Sequence, residues 1–535
     1  MTKETYNSEK GFNSPSENGS SIMNGSPKDY EFKENKGITI SDNNPVDDES
    51  ILLFISDKKD PEHSHESPFI DQIITRAGYN FEVWRCILLI SLTMLTEGIY
   101  LTTFSALFTP FQLFYKIDEM TVSISSSFIF LAVGIGSPII PLLSSRFKRT
   151  TILNYSFILM SIFSILLGLF KNIYIFTVLR SLIGLFLGIT VPLILCILTE
   201  NLPVYLRSFV LNLIWVTFTF GALFQLFVIQ IIMPDLNPNK FNDVMLYISV
   251  VPVVTTIIYF FYLEDSPRNL ILNHCPEEGF KILERIGNIK LTDEDKNRLV
   301  REIKTGSNKT EESSFKTLFN PKNLTTTLIL TALFVISLFV LYCPMLIMSL
   351  TLKKVLKENK IQGSVVKQIM VVNFMAIFGS VIAGMLSEVQ IVGRKFSIAI
   401  GFFIFALLNI FSFFYDQYFD LFLGAESVFC YLFTLVISSY AYEYYDTRIR
   451  GTATGYLYFS GRVASFFSQF IGIELDRIGT FLPYYLTTCL AIIGGILAIS
   501  LPYETYGQYL DINTDKRTIK KDHEKLEVST IITQT

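Results

Sequence analysis

Two textures alternate along this chain. From Trp84 onward, twelve long apolar runs recur at about 84–110, 121–143, 151–170, 173–199, 208–233, 243–263, 324–350, 366–387, 394–413, 417–441, 451–474 and 480–502. Each is long enough to cross about 30 Å of hydrocarbon at about 1.5 Å per helical residue. The polar punctuation is short except at Glu264 to Asn323, a charged segment of about 60 residues that splits the runs six and six. Its stretch PEEGFKILERIGNIKLTDEDKNRLVREIK places apolar residues at helical spacing, which predicts short amphipathic helices outside the lipid. Residues 1–80 are rich in Ser, Asn, Glu and Lys without periodic apolar positions, and predict a disordered tail. The expected organisation is therefore an all-α membrane protein with twelve transmembrane helices in two pseudo-symmetric six-helix bundles. Its parts are tail 1–80, bundle 81–263, central loop 264–323, bundle 324–503 and tail 504–535.

Composition sharpens the picture. Half of the residues are hydrophobic, 48 are Phe, and the mean hydropathy is +0.42, more apolar than a soluble core requires. The charged 17% crowd into the tails and the central segment, so the net charge of −4 says little, and no basic domain supports nucleic-acid binding. Six scattered cysteines lack any C-x-x-C spacing and read as packing residues. The four histidines all fall in aqueous segments, which leaves no intramembrane metal site or histidine relay; a transported proton must ride a carboxylate. Short loops of the two faces carry equal numbers of Lys and Arg. The eleven in the central segment, with Arg76 and Arg85, place that segment and both tails in the cytosol. No apolar stretch with a cleavage site opens the chain, so no cleaved signal peptide is expected. No G-x-x-x-x-G-K-[ST] loop exists, so ATP hydrolysis and cofactors are not expected, and a monomer is. In the tail, DESILL (Asp48 to Leu53) has the pattern of an acidic dileucine signal read by cytosolic adaptors, which sets an endosomal or vacuolar membrane beside the plasma membrane.

A duplication shows in the polar residues. TENLPVYLRS places Glu200, Pro203 and Arg207 where YEYYDTRIRG, 243 residues on, places Glu443, Asp446 and Arg450. Each glutamate sits at a helix C-terminus, where the macrodipole disfavours a negative charge, so each needs a cation. Arg207 and Arg450 open the following helices and can lace neighbours together at the cytosolic face. Two readings follow: an ion-pair gate that loosens in one access state, or a fixture of helix ends.

Depth brings out further pairs. Glu97 lies about 13 residues into the first run and Arg180 about 7 into the fourth, so both fall roughly 10–13 Å below the non-cytosolic face and could pair. Glu426 and Arg462 reach about the same depth in the second half. A lone charge at the bilayer centre costs about 2.5–3.5 kcal/mol, so these four should be paired or wet. Glu426 and Arg462 either close on each other or leave the guanidinium to grip a substrate carboxylate or phosphate. Other cavity candidates are Trp215, Asn212, Gln225, Tyr342 and Asn373.

Twelve runs, a central loop and a paired motif resemble the major facilitator superfamily, in particular its sugar porter, organic-ion transporter and synaptic vesicle glycoprotein branch. RSLIGLFLG (Arg180, Gly184, Gly188), EDSPRNL after the sixth run (Ser266, Pro267, Arg268) and RGTATGYLYFSGR (Arg450 to Arg462) carry the resemblance over residues 80–503. The branch's G-x-x-x-D-R-x-G-R-[RK] loop is altered here. Its first copy, from Pro141, keeps Arg146, Lys148 and Arg149 but loses its acid and both glycines; the second keeps Gly384, Glu388, Gly393, Arg394 and Lys395 with two extra residues inside. The resemblance implies a cytosolic gate of Glu200, Arg207, Glu443, Arg450, Arg146, Arg149, Glu388 and Arg394. It implies Glu97 as proton carrier with Arg180 as its switch, the alternative being a permanent salt bridge. The implied activity is secondary active transport of a small polar or ionic organic solute (a sugar or organic ion) by alternating access with proton symport. The alternatives are an uncoupled facilitator, or a transporter-like solute receptor or vesicle protein that does not transport. An enzyme is not expected, since the spans hold no histidine, paired aspartates or nucleophile–base spacing.

Overall fold

The computed structural model describes residues 69–505, apart from 145, 204–206, 235, 274, 308–317, 359–364, 390–391, 415–418 and 446. The DESILL pattern, Asp446 and most of both tails lie outside the described residues. Those described fall in one compact unit, His65–Thr535. All their regular structure is helical. Twelve long helices follow in order: α1 (Phe81–Thr102), α2 (Glu119–Gly136), α3 (Arg149–Leu169), α4 (Ile173–Asn201), α5 (Trp215–Ile232), α6 (Phe241–Tyr262), α7 (Pro321–Glu358), α8 (Val365–Ser387), α9 (Gly393–Phe414), α10 (Phe419–Tyr444), α11 (Thr447–Ile478) and α12 (Leu482–Ile499). Eleven of the spans are long and apolar enough to cross a membrane; α11 is the exception. It turns Arg450, Arg462, Ser465, Ser468 and Gln469 inward, packed between α2 and α7, while Phe459, Phe467 and Ile471 are exposed on its outer face.

The helix pairings repeat. In the first half α1 packs on α5, α2 on α4, and α3 on both α4 and α6; in the second, α7 packs on α11, α8 on α10, and α9 on both α10 and α12. The contacts between halves, α2 with α11 and α5 with α8, are exchanged by the same shift of six. Glycines allow the closest approaches: a Cβ on Gly98 would stand 2.0 Å from the carbonyl oxygen of Phe218, and one on Gly188 would stand 2.1 Å from that of Val133.

Two runs are each divided into two helices where hydropathy shows no break. The first continues past Thr103 as a second helix, Phe104–Tyr115. Thr102 and Thr103 each donate a side-chain hydrogen bond to the carbonyl four residues back, which loosens the helix at that point. The fifth begins with a short helix, Arg207–Leu213, before α5.

The central segment forms the expected short helices, Pro267–Asn273, Pro276–Gly287 and Asp293–Ser307. The expected tail, residues 1–80, includes a helix before its end. A helix at Phe69–Ala77 packs against the second and third of these helices. Its Ile70, Ile73 and Ile74 fall on one helical face and are buried in a cluster with Phe280, Leu283, Ile286 and Leu299. Asp71 pairs with Arg268 at 2.8 Å, and Glu302 accepts from the Phe69 amide at 2.9 Å.

Candidate functional site

Near the middle of the bundle, Glu97 of α1 meets Arg462 of α11. Arg462 Nη2 donates to Glu97 Oε1 at 2.6 Å, and both side chains are almost wholly buried. Arg462 Nη1 donates to the Tyr342 hydroxyl of α7 at 2.9 Å, and its guanidinium lies 5.5 Å from the Tyr342 ring centre. The Tyr342 carbonyl accepts from Gln469 Nε2 at 2.7 Å. Glu97 Oε2 and Arg462 Nε have no hydrogen-bond partner. This buried charged pair joins the two halves, α1 in the first to α11 in the second.

This replaces both pairings expected from depth. Arg180 does not reach Glu97; its Nη2 donates to the carbonyl of Tyr100 at 3.0 Å, and its guanidinium lies 4.5 Å from the Phe104 ring. Glu426 does not reach Arg462; it is buried and makes no hydrogen bond or ion pair among the described residues. Rise per residue fixes a height and leaves the direction around the helix open. Glu97 faces α11 across the interface, while Arg180 packs one turn further along α1, near the helix break.

The other cavity candidates make contacts of their own. Gln225 donates to the Thr102 carbonyl at 3.2 Å and so holds α5 to the end of α1. Asn212 donates to Ser387 Oγ at 3.4 Å and accepts from Ser439 Oγ at 2.8 Å, bolting the first half to α8 and α10. Asn373 donates to its own helix at the Ile369 carbonyl, 2.8 Å away. Trp215 is half-buried, its ring 5.7 Å from that of Phe218, which lies 6.3 Å from the Tyr431 ring of α10. Only Tyr342 and Arg462 of this set join Glu97.

The face bearing the central segment holds duplicated ion pairs, each with an arginine from the start of a neighbouring helix. Glu200 Oε2 accepts from Arg149 Nη1 at 2.6 Å and from Ser266 Oγ at 2.5 Å. Glu443 pairs with Arg394. Arg207 does not pair with Glu200; its Nη2 caps the end of α4 at the Leu202 carbonyl, 3.1 Å away. Arg149 and Arg394 open α3 and α9, which run beside α4 and α10, so each guanidinium arrives at the neighbouring helix's C-terminus, where the dipole favours a cation. Glu388 accepts from the Phe209 amide at 3.3 Å, across the halves. Arg450 is buried, whereas Arg146 is exposed and forms no ion pair among the described residues.

Sequence reasoning passed over several partners. Glu504 accepts from the amides of Arg394 (2.8 Å) and Lys395 (3.0 Å), capping α9 after Gly393 at φ +61°. Its position just past the last apolar run was the available signal. Lys148 pairs with Glu278 at 2.6 Å, and that carboxylate holds the Lys148 ammonium above its ordinary pKa.

Known proteins share this architecture. The family model described as sugar (and other) transporter matches residues 100–515. The chain is 22% identical to svop-1 of Caenorhabditis elegans over 87% of its own length and 91% of that protein's. It is 24% identical to the Synaptic vesicle 2-related protein of Bos taurus over 41% of the chain and 39% of that relative. Among solved structures, the proton:xylose symporter XylE bound to 6-bromo-6-deoxy-D-glucose overlays with a TM-score of 0.64 at 17% identity, covering 80% of this chain and 97% of XylE. A partially occluded inward-open form of XylE from E. coli gives 0.63 at 15%, over 81% and 100%. The fold is that of the major facilitator superfamily, and the chain is an integral membrane transporter that belongs to the sugar (and other) transporter family.

Proposed function

We propose that this transporter carries a small polar or ionic organic solute by alternating access of its two halves, and that proton binding at Glu97 drives the step that parts them. The supporting observation is the buried Glu97–Arg462 pair between α1 and α11. An ion pair inside lipid is held by mutual attraction; neutralising one member leaves the other without compensation. Protonation of Glu97 would release Arg462 and unfasten the halves at mid-depth. Arg462, and not Arg180, is then the group that senses the charge on Glu97 in this state. The second-half residues around it, with Tyr342, are the proposed solute contacts.

The face with the central segment is taken as cytosolic on the Lys and Arg count, with the duplicated pairs as its gate. Asn212 and Glu388, which tie the halves together there, belong to that gate in this reading. The XylE structures of the same fold are named as those of a proton symporter, which favours coupling over facilitation.

Uptake into proteoliposomes, with and without an inward proton gradient, tests the proposal. Wild type is expected to concentrate its solute only with the gradient. Glu97→Gln is expected to retain exchange of solute across the membrane while losing accumulation. Gradient-independent uptake, unchanged in Glu97→Gln, would leave a facilitator.

A further inference from the structure

Two guanidiniums sit in the core of the bundle, Arg180 at 1% exposed and Arg462 at 2%. Glu97 is the one carboxylate that the described residues bring within hydrogen-bond distance of either. Glu426 touches neither, and it lies on α10 in the other half from Arg180. Whichever arginine Glu97 serves, the other keeps a full positive charge and no counter-charge. In this structure that residue is Arg180: Nε and Nη1 have no partner, and only Nη2 is engaged, by a carbonyl. Burying a guanidinium without an anion is among the more costly arrangements a membrane interior can hold. The Phe104 ring covers one face of the group but supplies no acceptor.

The geometry points to Arg180 as the binding group for a small anion of single negative charge, met at the unpartnered Nε–H or Nη1–H edge and exchanged when the halves reorient. A surplus of one charge is balanced by a monovalent acceptor, whereas a dianion would leave a buried negative charge uncompensated. That chemistry is shared by a halide, acting as a co-ion, and by the carboxylate of an organic solute. This deepens the transport reading and rests on it, because a group buried in this state takes a ligand only if another state opens it.

The test is thermal unfolding of the purified full-length protein in detergent at constant ionic strength. Sodium chloride, sodium bromide, sodium acetate and sodium lactate are compared with sodium sulfate, for wild type, Arg180→Gln, Arg180→Lys and Arg462→Gln. A halide or a carboxylate is expected to raise the wild-type Tm by about 2 °C or more over sulfate. The rise should vanish in Arg180→Gln, weaken in Arg180→Lys, which lacks the Nε donor, and persist in Arg462→Gln. A response to halides alone marks a co-ion; a response to carboxylates alone marks the solute. Should Arg180→Gln not fold, the Lys variant carries the comparison. No difference between salts, a rise that survives replacement of Arg180, or one abolished only in Arg462→Gln would overturn the assignment. Since unfolding reads binding without transport, absent uptake alongside a retained shift would remove the transport reading and leave the site.

Discussion

Arg462 spends one guanidinium on two helices of the bundle: Glu97 on α1 and Tyr342 on α7. Removing it strands a buried carboxylate, whereas Glu97→Gln keeps a hydrogen-bonding side chain in place. Arg462→Ala is therefore expected to lower stability by about 3–5 kcal/mol, clearly more than Glu97→Gln, as read by denaturation of the detergent-solubilised protein. At the gate, Arg394→Ala removes a cation paired with Glu443, and Arg149→Ala removes the one paired with Glu200. Each change should lower stability in the same assay. At this scale the sequence revealed which residues carry charge in the interior and that their pattern is duplicated. It did not reveal who faces whom. Successive helical residues turn by about 100°, so a boundary uncertain by two residues leaves direction undetermined while moving depth by only about 3 Å. That is why depth alone set Glu97 with Arg180 and Glu426 with Arg462, where the structure sets Glu97 with Arg462.

Among elements, the long runs were plain because a span must be apolar along its whole length to sit in lipid. The breaks at Thr103 and before Trp215 were hidden, since threonine back-bonding and a local loss of the helical hydrogen-bond pattern leave hydropathy untouched. Helix α11 shows the converse: its polar residues mark the face turned inward against α2 and α7, while Phe459, Phe467 and Ile471 stay exposed. The tightest seam is between α1 and α5. Gly98→Val would drive a side chain into the Phe218 carbonyl, which backbone movement alone can relieve. It should cost about 3 kcal/mol or more and show as a loss of monodisperse protein on size-exclusion chromatography. Glycine at Gly451, which has open space where a Cβ would go, offers the matched control, and Gly451→Ala should be silent there.

For the molecule as a whole, the duplicated pairings relate two halves whose sequences have drifted far apart, as the altered loop copies at Pro141 and Gly384 show. Both copies nevertheless end with an arginine at the start of α3 or α9 delivered to a glutamate at the end of α4 or α10. The helix Phe69–Ala77 has no counterpart in that repetition, and it carries a practical consequence. Composition would place a deletion boundary near residue 80; the packing places it before Phe69. Trimming residues 1–68 should leave the melting temperature unchanged. Cutting twelve residues further would strip away Ile70, Ile73 and Ile74, at about 1.5–3 kcal/mol of burial each, along with the Asp71 partner of Arg268. The shorter product would present a bare apolar groove to water and should aggregate, so anyone shortening this protein for crystallography or fluorescent labelling will meet a sharp edge inside what looks like dispensable leader.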